Sequence, residues 1–113
     1  MEIELLNSPT TDVVGWERQD GEREGKFVLA SDASVFYKHP SDSRLWVAGR
    51  DIAQFQSAAL AWQAYRLSVV GRPESEQLSY VAQLRAALSN TGVLESPTSF
   101  WGMLLEQAQA GQL

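Results

Sequence analysis

Four well-spaced aspartates and the single histidine are the first candidates of this chain for acid–base chemistry. Two carboxylates that face one cleft could act as the acid and the base of glycoside hydrolysis, and His39 could transfer a proton near neutral pH. However, Asp12, Asp32, Asp42 and Asp51 each fall at a predicted turn or helix start, where aspartate is favoured because it accepts hydrogen bonds from backbone amides. His39 falls in a predicted loop without a predicted partner. The sequence therefore predicts no catalytic residue.

The composition excludes most other site chemistry. The chain has no cysteine, which removes disulfides, thiolate zinc sites and cysteine nucleophiles. Its single histidine leaves little for a histidine-based metal centre or a catalytic triad. It contains no P-loop, no dinucleotide-binding glycine pattern and no metalloprotease helix. We therefore expect no enzyme, no cofactor and no metal site, and the composition favours a binding module.

Size and charge narrow the class of partner. The 113 residues are predicted to form one domain, 1–113. Fourteen acidic against nine basic residues give a net charge of −5, which argues against direct nucleic-acid binding through phosphate neutralisation. No apolar stretch approaches the roughly 18 residues that a membrane span needs, so we expect no membrane partner. The first four residues contain two acids and no base, whereas a secretory signal begins with basic residues, which favours a cytoplasmic protein.

The first half of the chain has the pattern of strands. Short runs rich in β-branched and aromatic residues alternate with turn residues, and Asp20-Gly21 is the strongest hairpin signal. The short gaps allow antiparallel neighbours but no crossover helices, so a β-meander of about four to five strands over residues 2–48 is predicted. The predicted strands are 3–5, 12–17, 26–30, 34–38 and 44–48.

From Asp51 onward the apolar residues recur at helical spacing. Asp51 and Gln54 resemble a capping box at the start of a first helix, which Gly71 ends. A second helix is predicted over 75–89, and a third is predicted to begin at Ser96-Pro97. Strands followed by helices predict an α+β domain with three α-helices packed on one face of an antiparallel sheet.

Strand alternation places a large aromatic residue and a cation on the same side of three predicted strands. Because three helices can cover only one face of the sheet, we predict that these side chains form a partner-binding surface on the other face, as aromatic and arginine clusters do. The alternatives are a change of alternation at a β-bulge, or aromatic residues buried in the core. The pairs are Trp16 with Arg18, Phe36 with Lys38, and Trp46 with Arg44.

The acidic hairpin 20–24 is a second candidate for partner binding. The carboxylates of Asp20, Glu22 and Glu24 could meet a basic partner and steer its association. The alternative interpretation is a solvated turn that keeps the protein soluble.

Three segments resemble the SUKH superfamily, and its fourth subgroup most closely. They are the predicted strand pair 26–30 and 35–37, the passage from Trp46 through Asp51 to a helix bearing Phe55, and the tryptophan-bearing terminal segment 100–106. The resemblance implies a cytoplasmic immunity protein of a bacterial polymorphic toxin system. Such a protein binds a cognate toxin, often a nuclease, and neutralises it by occlusion as a monomer or weak dimer. An acidic inhibitor would suit a basic nuclease because complementary fields speed capture.

Two other functions remain open from the sequence. A small acidic secretion chaperone or adaptor would hold a partner protein segment by strand addition or in a groove, as a dimer. A small-molecule-binding or enzymatic domain would use a pocket between sheet and helices, but no convergent titratable residues point to one.

Overall fold

The computed structural model describes residues 1–6 and 12–111, which form one antiparallel sheet followed by three helices. The strands follow one another in the order of the sequence, from β1 at one edge to β5 at the other. The predicted α+β fold with a β-meander is therefore confirmed. The strands are β1 (Glu2–Leu5), β2 (Val13–Gln19), β3 (Glu22–Leu29), β4 (Val35–His39) and β5 (Asp42–Gly49). The helices are α1 (Ile52–Val69), α2 (Glu74–Thr91) and α3 (Phe100–Gln109).

The β2–β3 turn consists of Asp20 and Gly21 alone. Their φ angles are 51° and 83°, and positive values at both positions are what a type I′ hairpin turn requires. Gln19 pairs directly with Glu22 across this turn. The turn is confirmed, and β3 begins earlier than the predicted strand 26–30, because residues 22–24 already belong to it.

An aromatic core joins the sheet to the helices. α1 and α3 pack against one face of the sheet, and α2 packs against α1 and α3. The ring centroid of Phe27 in β3 lies 4.8 Å from that of Phe55 in α1 and 5.1 Å from that of Phe100 in α3. Trp101 is fully buried, and its indole N–H donates to the carbonyl of Ala48 at 2.7 Å. Each such side chain contributes about 1.5–3 kcal/mol by leaving water.

The start of α1 confirms the predicted cap. Oδ1 of Asp51 accepts a hydrogen bond from the backbone N–H of Gln54 at 2.7 Å. The carboxamide oxygen of Gln54 accepts from the N–H of Arg50 at 2.7 Å, so two backbone donors at the helix start are satisfied.

The start of α3 differs from the prediction. Ser99 is the N-cap, and its hydroxyl oxygen accepts from the N–H of Gly102. The preceding residues 96–98 lie beside β5, where the N–H of Val47 donates to the carbonyl of Thr98 at 2.9 Å. This contact satisfies a backbone donor at the edge of the sheet, so the proline at 97 belongs to that approach rather than to the first turn of the helix.

Candidate functional site

The helices leave one face of the sheet uncovered, and we call it the open face. Residues directly opposite one another on neighbouring strands lie on the same face. Trp16 is opposite Lys26, which is opposite Lys38. In the next row, Val28 is opposite Phe36, which is opposite Val47. The four apolar members of these rows are half-buried, and none belongs to the core shared with the helices.

A groove of about 490 Å³ runs along the open face. Val28, Phe36 and Leu45 give it an apolar lining, and Leu45 is 49% exposed. Lys26 and Lys38 also line it. The groove can therefore receive a large apolar group next to a negatively charged one.

Lys26 and Lys38 lie directly opposite one another on β3 and β4. Neither ammonium group forms a hydrogen bond or ion pair with another residue of the described chain. Like charges placed directly opposite in a sheet destabilise it. Asp12 is the one acid among the described residues that line the groove, so two lysines leave a local excess of positive charge there.

An ion cluster fixes the end of the open face beside Trp16. Oε1 of Glu4 accepts hydrogen bonds from Arg18 and Arg23, each at 3.0 Å, and Oε2 accepts a second one from Arg23 at 2.8 Å. The hydrogen bonds from Arg23 and Arg18 lower the pKa of Glu4 to about 2. The guanidinium of Arg23 also lies 5.0 Å from the centroid of the Trp16 ring, within the range of a cation–π contact. Arg23 therefore contacts both Glu4 and the Trp16 ring at this end of the open face.

Four of the predicted binding residues lie on the open face. Trp16, Phe36 and Lys38 belong to its two rows, and Arg18 lies beside them in the ion cluster. Their proximity matches the sequence prediction, and their role in partner binding stays a prediction.

The placement of Trp46 and Arg44 on the open face is wrong. Trp46 is opposite Tyr37, whose side chain points into the core, and it packs against that core from the edge. Arg44 lies with its guanidinium 4.9 Å from the centroid of the Trp46 ring, on the same side. The pairing of β4 with β5 shifts register on both sides of Tyr37, and such irregularities change which residues face the helices. Leu45 faces the groove instead.

The acidic hairpin is divided between two surroundings. Asp20 and Glu22 are exposed at its tip. The carboxylate of Glu24 lies 3.8 Å from Nε2 of His39, so Glu24 belongs to a polar cluster at the rim of the helix-covered face. The role of these three acidic residues in partner binding stays a prediction.

The sequence analysis missed the centre of this polar cluster, which is a buried carboxylate. Glu17 is only 8% exposed, and its Oε1 accepts a hydrogen bond from the hydroxyl of Tyr37 at 2.5 Å. Burial and the nearby Glu17 carboxylate raise the pKa of Tyr37, so the phenol stays a donor. The signal was present, because Glu17 directly follows Trp16 and neighbouring residues of a strand face opposite sides of the sheet.

Among the described residues, Glu17, Glu24 and His39 are the one group whose spacing could hold a metal ion, with ligand atoms within 4.8 Å of one another. Nδ1 of His39 accepts from the backbone N–H of Ser41 at 3.1 Å. The neutral ring therefore carries its proton on Nε2, which faces Glu24. A metal would need a lone pair at that atom, so the arrangement suits a cluster of polar side chains better than a metal centre.

A second exposed apolar surface lies on α1. Leu60, Leu67 and Val70 are 58%, 80% and 71% exposed. Leu67 and Val70 also line a groove of about 380 Å³ between α1 and β1. This surface is on the helical side of the molecule and is separate from the open face.

Comparison of the chain with protein families, with curated proteins and with solved structures gives no match. Within residues 1–6 and 12–111, none of the helices combines the length and the apolar character needed to cross a lipid bilayer.

Proposed function

We propose that this chain is an immunity protein that binds a cognate bacterial toxin through the open face and neutralises it by occlusion. The observation that supports this most is the uncovered sheet face, on which Trp16 and Phe36 lie outside the core beside unpaired lysines. Aromatic side chains next to cations are the usual anchors of protein interfaces, and an apolar sheet face open to solvent is typical of an interaction site. The resemblance to the SUKH superfamily supplies the class of partner.

Preorganisation of the open face fits an inhibitor that acts by binding alone. Trp16 is held by Arg23, which Glu4 holds in turn through two hydrogen bonds. Side chains that are already ordered lose less conformational entropy when a partner binds. Occlusion requires no chemical step from the inhibitor, only a rigid surface that stays bound over the toxin's site.

Capture of the partner tests the proposal. The tagged chain should retain a toxin protein from the producing bacterium, and co-expression should protect cells from that toxin. Trp16→Ala should weaken binding by about 2 kcal/mol, as truncation of an interface anchor does. Leu67→Ala is the matched control, since it truncates an exposed apolar side chain on α1. Failure to protect cells, or equal losses in both variants with the fold retained, would contradict the proposal.

A secretion chaperone or adaptor is the second candidate, and the apolar surface of α1 favours it. Leu60, Leu67 and Val70 would be covered if two copies of the chain associated through α1. Light scattering separates the two functions. A dimer that Leu67→Glu dissociates would favour the chaperone, whereas a monomer whose capture of a partner depends on Trp16 favours the inhibitor.

A further inference from the structure

We infer that the open face receives an acidic, apolar segment of the partner protein, whose carboxylates lie between Lys26 and Lys38 and whose large apolar side chain contacts Phe36. The inference rests on the proposed function only in taking the partner to be a protein. It specifies the chemistry of the surface that the partner presents.

Two ammonium groups without a partner in the described chain favour an anionic ligand in the groove. Lys26 and Lys38 are directly opposite, line the same groove and bond to no other described residue. A carboxylate between them would replace a repulsive contact with two charge-assisted hydrogen bonds. Glu4 is on the same face, but its two oxygens already accept from Arg18 and Arg23. A carboxylate of the partner would supply the negative charge between the two lysines.

The charge of the groove is opposite to that of the whole chain. The chain carries −5, whereas the charged side chains lining the groove are Lys26, Lys38 and one acid, Asp12. A basic nuclease surface on this face would place cations against the two lysines. The expected fit of an acidic inhibitor to a basic nuclease therefore does not describe the open face, and an acidic contact surface does.

The distance between the lysine row and the apolar row of the open face determines how the acidic and apolar residues of the partner segment are spaced. Lys26 and Val28 are two residues apart on β3, as are Lys38 and Phe36 on β4, so the charged row and the apolar row are about 7 Å apart. In an extended segment, side chains at i and i+2 point the same way at that spacing. An acidic residue followed two positions later by a large apolar residue therefore matches both rows.

Aromatic residues beside lysines on an antiparallel sheet also occur in proteins that bind single-stranded nucleic acid. Here Arg18 and Arg23 are already held by Glu4, and non-specific nucleic-acid binding draws its affinity from several phosphate contacts. Two lysines on a chain of charge −5 supply few such contacts, so the acidic protein segment is favoured.

Backbone-amide NMR with short probes tests this chemistry directly. The first probe is an acetylated acidic peptide in which glutamate and leucine are separated by one serine, so that the acid and the apolar residue are two positions apart. The second probe is the same peptide with lysine in place of glutamate. The third probe is an oligothymidylate. The acidic peptide should shift amides of β3 and β4, and the lysine peptide should not. Lys26→Glu should lower the affinity for the acidic peptide by about tenfold at low salt. Arg85→Glu is the control, because Arg85 is exposed on α2 and unpaired among the described residues.

The outcomes separate this inference from the proposed function. If the acidic peptide causes no shifts, if the lysine peptide binds equally well, or if oligothymidylate binds more tightly at the same amides, the inference is wrong. If a captured toxin binds the Lys26→Glu and Lys38→Glu variants as tightly as the unchanged chain, the inference is also wrong, while the proposed function survives. If the acidic peptide binds the groove but no toxin is captured, the inference stands and the proposed function fails.

Discussion

The hydroxyl of Tyr37 donates a hydrogen bond to Oε1 of Glu17 across 2.5 Å, joining β4 to β2 over the intervening strand β3. Gly25 of β3 makes room for this contact, since a Cβ atom at that position would lie 2.3 Å from the Tyr37 ring. Glu17 carries the only buried carboxylate among the described residues. Its hydrogen-bond donor comes from β4, two strands away in the sheet.

Tyr37→Phe should destabilise the protein by about 1–3 kcal/mol, because it leaves the buried Glu17 carboxylate without its donor. The measurement is the free energy of unfolding in urea. Tyr65→Phe is the control, since the Tyr65 hydroxyl forms no hydrogen bond with a described residue. Equal losses in the two variants would show that the Glu17 contact contributes nothing beyond the phenol itself.

Gly25→Ala should also destabilise, by about 1–3 kcal/mol, because the added methyl group forces the Tyr37 ring away from Glu17. Gly102→Ala, in contrast, should stabilise the protein. Its Cβ would meet Ser99 at an ordinary 3.6 Å inside α3, and alanine is favoured over glycine in a helix by about 0.5–1 kcal/mol. Thermal melting of both variants checks the contrast, and an unchanged melting temperature for Gly25→Ala would refute the close approach.

The ion cluster on the open face predicts an acid-dependent loss of stability. The pKa of Glu4 falls from its ordinary 4.5 to about 2 in the folded chain. Because the folded-state pKa is the lower one, the contribution of Glu4 is present above pH 4.5 and is lost as the pH falls toward 2. Glu4→Gln should therefore flatten the dependence of the unfolding free energy on pH in this window. Parallel curves for the variant and the unchanged chain would mean that the cluster does not couple to folding.

The position of the α3 cap can be tested with two serines. Ser99→Ala removes the side chain that accepts from Gly102 and donates to the carbonyl of Val93. It should cost about 1–2 kcal/mol, as the loss of an N-cap does. Ser96→Ala affects only the exposed approach to the helix, so chemical denaturation should show a smaller loss. A larger loss of stability for Ser96→Ala than for Ser99→Ala would contradict Ser99 as the N-cap and favour the predicted helix start at Ser96-Pro97.

Most of the fold could be predicted from local patterns in the sequence. Asp20-Gly21 specifies its turn, and Asp51 caps α1 as its position predicts. Alternation placed Phe36 correctly because β4 keeps its predicted sides. It also placed Trp16, although β2 shifts register near Gly15 and Val14, predicted to lie on the side of Trp16, is in the core. It failed for Trp46, because a register shift between two strands is a property of their pairing and not of either strand's pattern.

The polar and charged contacts of the site could not be predicted from the sequence. The Lys26–Lys38 pair depends on the register of β3 against β4. The Tyr37–Glu17 contact joins residues twenty positions apart over a third strand. No local periodicity encodes such contacts, since they arise only when the sheet has assembled.

The indole N–H signals of the four tryptophans provide the most direct test of the open face as the docking surface. Trp62 and Trp101 donate to the carbonyls of Met1 and Ala48 on the helix-covered side, and Trp46 lies at the edge of that side. When the captured partner is added to the ¹⁵N-labelled chain, the Trp16 signal should move most and those of Trp62 and Trp101 should stay. A Trp16 signal that remains in place while another tryptophan moves would contradict docking on the open face.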